Sequence, residues 1–175
     1  MTTNKIPFAL QEGKLIDVTQ ADKKIDYSCP DCSSVLRKRG GDIVTDHFYH
    51  FTPSECTGES VIHKAYKQAL LECKKLCYRD YQGSIRILKF DKVELEKGFN
   101  GGSIIVDAVG YINNIMHFIE FANTHYIDKR KKKKIEKSNI FCIEIDIPMG
   151  IKTFDKIKHF LSDNAYNRDR DWETL

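Results

Sequence analysis

The chain has 175 residues, of which 41% are hydrophobic and 30% are charged, with only four prolines. A chain of this length buries about 70% of the surface that its unfolded form exposes, which is enough for a core without disulfide bonds. This composition excludes the disordered, collagen-like and disulfide-rich classes of protein. The sequence shows no signal-peptide pattern and no run of eighteen apolar residues, so we expect a cytoplasmic protein without a membrane partner.

The net charge of +3 hides an uneven distribution of charge along the chain. Residues 129–137 (KRKKKKIEK) contain seven basic residues and one acid and therefore contribute +6. The other 21 basic and 24 acidic residues give −3. The sequence thus predicts a mildly acidic protein with one strongly basic element.

In chain order, the first fifty residues predict short strands separated by glycine and charged turns. These strands are PFAL, KLIDV, IDYSC, VLRKR and IVTDHFYHF. Apolar residues then recur with helical spacing from about Glu59 to Tyr78, which predicts a long helix with one buried face.

The second half of the chain predicts strands, then a helix, a strand and a last helix. The strands IRILKF and KVELEK alternate, whereas SIIVDAVGY, IMHFIEF and the later IFCIEIDI are apolar on both faces, as in central strands. The basic segment predicts a helix over about 127–138. We therefore expect a mixed α/β (α+β) fold, with a small β module over 1–58 and a sheet flanked by helices over 59–175.

Three cysteines and two histidines lie close together in the predicted β module. Cys29 and Cys32 are two residues apart, and His47, His50 and Cys56 follow. Thiols and imidazoles in two such short groups are the ligands of tetrahedral zinc, so we expect a structural Zn²⁺ at this place. The alternative is that these residues are ordinary buried thiols and turn histidines. His47 and His50 point to opposite faces of a strand, and we favour His50 as the ligand, with His47 as the alternative.

The segment SIIVDAVGYINNIMHFIEFA predicts a hairpin that turns at Asn113-Asn114, since Asn tolerates the positive φ that a two-residue turn requires. Cross-strand partners then have residue numbers that add to 227, which places Asp107 opposite Glu120. Two carboxylates held together in an apolar sheet favour either a shared proton or a bridging Mg²⁺ or Mn²⁺. A slip in the register, or an edge position for one acid, would instead separate them.

Polar residues follow one edge of the predicted first helix. Glu59, His63 and Lys67 are four residues apart and therefore share a face. This row is either a solvated margin or it points at the acid pair. In the second case Glu59 would lie in the outer shell of the metal, and His63 or Lys67 would contact a phosphate or transfer a proton.

The basic helix allows two interpretations as well. It is either a solvated face or a surface for a phosphodiester backbone, because it directly follows the strand that carries Glu120. The candidate nucleic-acid-binding residues are Lys67, Lys129, Arg130, Lys132, Lys133 and Lys134.

The succession YSCPDC, HFYH, Cys56, ESVIHKAYK, IIVDAVG, IEFANTH and IEIDI resembles the competence protein CoiA-like family. This resemblance implies a zinc-ribbon-like module followed by a restriction-endonuclease-like domain of the PD-(D/E)XK superfamily. Asp107 then matches the motif aspartate and Glu120 the second motif acid. Ala122 stands where the superfamily often has a lysine, and the resemblance indicates Lys131 or His125 as the substitute.

The resemblance implies a metal-dependent DNA nuclease in bacterial DNA uptake, DNA processing or phage defence. Its catalytic residues would be Asp107, Glu120, Lys131 and His125, with Glu59 and His63 in support. The expected cofactors are structural Zn²⁺ and catalytic Mg²⁺ or Mn²⁺, and DNA is a better expectation than RNA. The alternative, which Ala122 motivates, is a catalytically inactive nucleic-acid-binding module or a subunit of a larger complex. Besides nucleic acid, the partners to consider are a second copy of the chain or another protein of a larger bacterial system.

Overall fold

The computed structural model describes residues 5–52, 56, 59–80, 82–123, 126–148 and 150–163. Within these residues the chain forms eleven strands and three α-helices, which confirms the predicted mixed α+β class. The chain divides into two compact units, one of residues 1–66 with 150–157 and one of residues 67–149 with 158–175. The predicted domain boundary at residue 58 stays a prediction.

The first unit contains a five-stranded antiparallel sheet in the order β2-β1-β3-β4-β5. Its strands are β1 (Phe8–Gln11), β2 (Lys14–Asp17), β3 (Asp26–Ser28), β4 (Val35–Arg39) and β5 (His47–His50). Large apolar side chains alternate along these strands and are fully or almost fully buried, as for Phe8, Tyr27, Leu36 and Phe48. The predicted short strands of the β module are therefore confirmed, although β5 begins only at His47.

The first helix, α1, spans Glu59–Cys73, and the prediction that it extends to Tyr78 is wrong. Lys74 adopts a φ of 50°, and this left-handed conformation ends the helix. The next residues form β6 (Lys75–Arg79), which pairs with β7 (Ile85–Lys89) in a separate two-stranded sheet. The segment IRILKF therefore pairs with a strand that sequence reasoning assigned to the helix.

The second unit contains a four-stranded sheet in the order β11-β10-β9-β8. The strands are β8 (Lys92–Phe99), β9 (Ile104–Ile112), β10 (Ile115–Ala122) and β11 (Phe141–Asp146), and the helices that follow β10 and β11 are α2 (Lys129–Ser138) and α3 (Phe154–Asp163). β8, β9 and β10 are antiparallel, whereas β10 and β11 are parallel and are connected through α2. The apolar side of α2 contributes the fully buried Ile135 to the core beside Val109, Phe118 and Cys142.

The hairpin between β9 and β10 has the predicted turn and register. Asn113 and Asn114 have φ angles of 50° and 64°, as a two-residue turn that matches the twist of the strands requires. The ladder runs from Ile112 opposite Ile115 to Ala108 opposite Ile119, so partner numbers add to 227 as expected. No helix in the described part of the chain is long and apolar enough to cross a membrane.

Candidate functional site

Four residues of the first unit bring their ligand atoms together in one cluster. One ligand atom each from Cys29, Cys32, His50 and Cys56 lies within 4.8 Å of all the others. Cys32 Sγ is 3.2 Å from His50 Nε2, and Cys29 Sγ is 3.7 Å from Cys56 Sγ. Three thiols and one imidazole at these separations match a closed tetrahedral zinc set, so the cluster could bind zinc.

Local backbone geometry aims the first two thiols at the cluster. Cys29 and Cys32 lie in the tight connection between β3 and β4, where Ser33 adopts a φ of 61°. The N–H of Ser33 donates to the carbonyl of Cys29 at 3.0 Å, which closes the turn. His50 comes from the end of the neighbouring strand β5. The turn between β3 and β4 and the end of β5 therefore supply ligands to one small site.

His47 is oriented differently from His50. It is 6% exposed, and its Nδ1 is 2.8 Å from the carbonyl oxygen of Thr45. Within the described residues, the only group of three or more possible metal ligands includes His50 and does not include His47. This arrangement favours His50 over His47 as the histidine ligand.

The cluster is also fixed to the start of α1. The carboxylate of Asp31 is 3.1 Å from Cys56 Sγ, and Lys64 donates from its ammonium to the carbonyl of Pro30. A hydrogen bond from Ser60, followed by that from Cys56, lowers the pKa of Asp31. Asp31 thus provides a polar partner beside the Cys56 thiol, as groups that orient ligands in metal sites do, and Lys64 ties the turn between Cys29 and Cys32 to α1.

The second candidate site lies where the β9–β10 ladder ends, at the level of Asp107 and Glu120. Phe121 N–H donates to Asp107 Oδ2 at 2.9 Å, and the backbone N–H of Asp107 donates to the Glu120 carboxyl group. The two side chains thus bind main-chain groups of each other's strand in place of the next ladder bonds. Glu120 is 5% exposed and Asp107 is half-buried. The structure therefore brings the two predicted acids to one place.

Lys131 contacts Glu120 directly. Its Nζ donates to Glu120 Oε2 at 2.8 Å and lies 2.7 Å from Oε1. Lys131 stands in the first turn of α2, where Asp128 accepts hydrogen bonds from the backbone N–H groups of Arg130 and Lys131. Capping by Asp128 therefore fixes the turn from which Lys131 reaches the sheet.

Burial dominates the electrostatics of Glu120. It raises the pKa of Glu120 to about 7, while the Lys131 ammonium opposes the rise and the Asp107 charge adds to it. On the next strand, Glu144 is the register partner of Glu120, and burial raises the pKa of Glu144 as well. Glu144 Oε1 accepts a hydrogen bond from the N–H of Ile127, in the segment that precedes α2. The acids of β9, β10 and β11 therefore form a row across the sheet.

Sequence reasoning missed Glu96, which extends this row to β8. Lys67 Nζ is 2.8 Å from Glu96 Oε1 and 3.6 Å from Asp107 Oδ1. The missed signal is the turn at Gly101-Gly102, because β8–β9 partners have numbers that add to 203 and this places Glu96 opposite Asp107. Lys67 was predicted to bind nucleic acid as part of a polar row, and the structure places its ammonium between two carboxylates.

The remaining candidates are placed as follows. His63 is half-buried on α1, Glu59 begins that helix with its side chain outside the described part, and His125 lies outside the described residues. On α2, four of the predicted cations are exposed, while Lys131 and Lys132 are half-buried. The exposed ones are Lys129, Arg130, Lys133 and Lys134.

The residues of the acid site fit a small divalent cation. Mg²⁺ typically takes one or two carboxylates from the protein and completes its shell with water and phosphate oxygens. Asp107 and Glu120 provide those two carboxylates, with a lysine beside each of them. Among the described residues, no group of three possible ligands within 4.8 Å of one another includes Asp107 or Glu120, so water and phosphate oxygens would have to complete the shell of a cation held there.

Comparison with known proteins gives one match. No curated protein and no solved structure matches the chain. The family model described as competence protein CoiA, N-terminal domain, matches residues 10–59. The matched segment contains all four residues of the Cys29–Cys56 cluster. In this part the chain is therefore similar to the N-terminal domain of competence protein CoiA.

Proposed function

We propose that the protein is a metal-dependent nuclease that hydrolyses phosphodiester bonds of DNA, with a zinc-stabilised N-terminal module. The observation that carries the proposal is the pairing of Asp107 with Glu120 at the end of the ladder, each beside a lysine. A Mg²⁺ or Mn²⁺ held by these acids would lower the pKa of a bound water and would stabilise the charge that develops at phosphorus.

Three side chains would have separate roles in cleavage. Asp107 and Glu120 would hold the cation, and their bonds to the neighbouring main chain keep both carboxylates oriented. Ala122 stands at the position of the motif lysine, and Lys131 takes over the role of that lysine, because its ammonium is next to Glu120. There it can orient the attacking water or bind a phosphate oxygen.

The exposed cations of α2 would bind the DNA backbone. They belong to the helix that also carries Lys131, so a strand of DNA bound along them would lead to the acids. This predicts an affinity for DNA that falls steeply with salt. The match of residues 10–59 to the CoiA N-terminal domain is consistent with a role in competence, in which bacteria take up DNA.

A cleavage assay with purified protein tests the proposal. Wild-type protein should nick or degrade DNA with Mg²⁺ or Mn²⁺, and Asp107→Asn and Glu120→Gln should each lower the rate by about a thousandfold or more. Glu94→Gln is the matched control, since Glu94 is also held by lysines on β8 but lies outside the acid pair. Equal rates for wild type and the Asp107→Asn, Glu120→Gln double variant would contradict the nuclease function.

The second candidate function is nucleic-acid binding without cleavage, and Ala122 favours it. Ala122 is 1% exposed in β10, so the position of the motif lysine is part of the core. Salt-sensitive DNA binding without cleavage under any divalent ion would select this function. Binding should then weaken when Lys129, Arg130 and Lys133 are replaced by Gln, whereas Asp107→Asn should leave it unchanged.

A further inference from the structure

Glu96 has an unusual backbone conformation in the middle of β8. Its φ is 50°, in the left-handed region that non-glycine residues rarely adopt. The ladder between β8 and β9 pairs Leu95 with Ala108 and Lys97 with Val106, but it has no pair at Glu96 and Asp107. The β8–β9 ladder is thus interrupted at Asp107, next to the place where the β9–β10 ladder ends, and Glu96 with its positive φ stands opposite Asp107 on β8.

The side chain of Glu96 forms an ion pair with Lys67 of α1. Lys67 Nζ is 2.8 Å from Glu96 Oε1, and the Lys67 side chain is only 11% exposed. A buried ammonium group requires a close acceptor or an opposite charge, because burial removes its hydration. Asp107 is farther away, at 3.6 Å, so Glu96 is the closer carboxylate of the two.

Charge balance separates the roles of the two acids. If Asp107 and Glu120 held a divalent cation, the negative charge of Asp107 would be engaged there and would hold Lys67 less strongly. Glu96 would then remain as the carboxylate that holds the ammonium in place. The Glu96 side chain is 63% exposed, so this side of the pair is open to a ligand from solvent.

We propose that Glu96 is a positioning residue that holds the Lys67 ammonium beside Asp107, where the ammonium binds a phosphate oxygen of the DNA. This inference rests on the proposed nuclease function and adds Glu96, which acts through Lys67. Lys67 is the group that touches the substrate. Glu96 acts on it by charge and by a direct hydrogen bond.

A double-mutant cycle in the cleavage assay tests this role. Glu96→Gln keeps the size of the side chain and removes its charge, and it should lower kcat by about 10- to 100-fold, as loss of an orienting partner does. Lys67→Met should lower kcat at least as much, and adding Glu96→Gln to it should cause no further loss. Glu94→Gln on the same strand should keep the wild-type rate. A double variant slower by the product of the two single effects would overturn the proposal.

Chemical labelling separates this proposal from the nuclease function. Reductive methylation of lysines, followed by mass spectrometry, should modify Lys67 severalfold faster in Glu96→Gln than in wild type, while Lys131 keeps its rate. Equal labelling of Lys67 in both proteins would overturn the positioning role, whether or not the wild type cleaves DNA. Wild-type protein that never cleaves but shows the faster labelling contradicts only the nuclease function and keeps Glu96 as the residue that positions Lys67.

Discussion

Glu94 and Glu96 stand two residues apart on β8 and have different partners. Glu94 Oε1 accepts a hydrogen bond from Lys92 at 2.6 Å, and its Oε2 accepts from Lys97 and from the Tyr111 hydroxyl. These bonds, with that from Lys92 the strongest, lower the pKa of Glu94 from 4.5 to about 2. Glu94 is therefore a carboxylate of the sheet surface whose charge stabilises the fold.

The lowered pKa predicts how stability depends on pH. A group whose pKa is lower in the folded state stabilises the protein above its unfolded pKa, and this contribution is lost as the pH falls through the folded value. Glu94→Gln should therefore unfold at lower urea concentration than wild type above about pH 5, and the difference should shrink between 4.5 and about 2.

Urea titrations at several pH values measure this difference. Glu136→Gln, an exposed acid on α2, controls for the loss of one surface charge. A difference between Glu94→Gln and wild type that stays constant through the acid range would contradict the assigned bonds.

Sequence reasoning located Asp107 and Glu120 because a two-residue turn fixes the pairing of every residue beyond it. Asn113 and Asn114 identify the turn in the sequence, and the structure confirms their positive φ angles. The same arithmetic applied to Gly101-Gly102 would have found Glu96. Its ion pair with Lys67, however, depends on where α1 packs, and no local pattern specifies that.

At the scale of elements, β9 is one of the two inner strands of the four-stranded sheet and carries a glycine at a crowded point. A Cβ atom at Gly110 would lie 2.3 Å from two ring carbons of Phe90. Phe90 is 5% exposed, so its ring is held in place against the strand. The Phe90 ring therefore occupies the space that a side chain at position 110 would need.

We therefore predict that Gly110→Ala destabilises the fold by about 1–3 kcal/mol, as overpacking of a filled core does. Gly98→Ala on β8 is the matched control, since a Cβ there would meet its nearest atom at 3.8 Å, an ordinary contact. The control should change the free energy of unfolding by less than about 0.5 kcal/mol. Equal urea midpoints for the two variants would contradict this packing.

The boundary between α1 and β6 shows what periodicity cannot predict. Leu76, Cys77 and Tyr78 continue an apolar pattern that a helix would bury, and in β6 all three are buried as well. Only the φ of Lys74 and the pairing with β7 distinguish the two outcomes. Lysine does not mark a helix end, and the partner strand lies ten residues later in the chain, so the sequence alone favoured one long helix.

At the scale of the whole molecule, the chain consists of two units that depend on different sources of stability. The first has short strands of three to five residues and the Cys29–Cys56 cluster. The second has strands of eight and nine residues over an apolar core. Sheets of such short strands often gain stability from a metal in addition to their apolar core, whereas the longer strands of the second unit bury a larger core.

This contrast predicts the effect of removing zinc. Wild-type protein should contain a single zinc ion per chain, and Cys32→Ser should lose it. Hydrogen exchange should then accelerate in β4 and β5, while β9 and β10 keep their protection.

Elemental analysis and hydrogen-exchange mass spectrometry measure both effects. Cys73→Ser, a thiol outside the cluster, should keep both the zinc and the protection. Full zinc content in Cys32→Ser would show that the cluster is not the zinc site.

The bond between the Phe121 N–H and Asp107 Oδ2 has a practical consequence for spectroscopy. An amide proton that is bonded to a carboxylate shifts its resonance when the carboxylate is protonated or engages a cation. The Phe121 amide is thus a reporter that the chain itself supplies, without a label and without a mutation at the acids. A two-dimensional amide spectrum recorded through a Mg²⁺ titration would follow the state of Asp107 at one resonance.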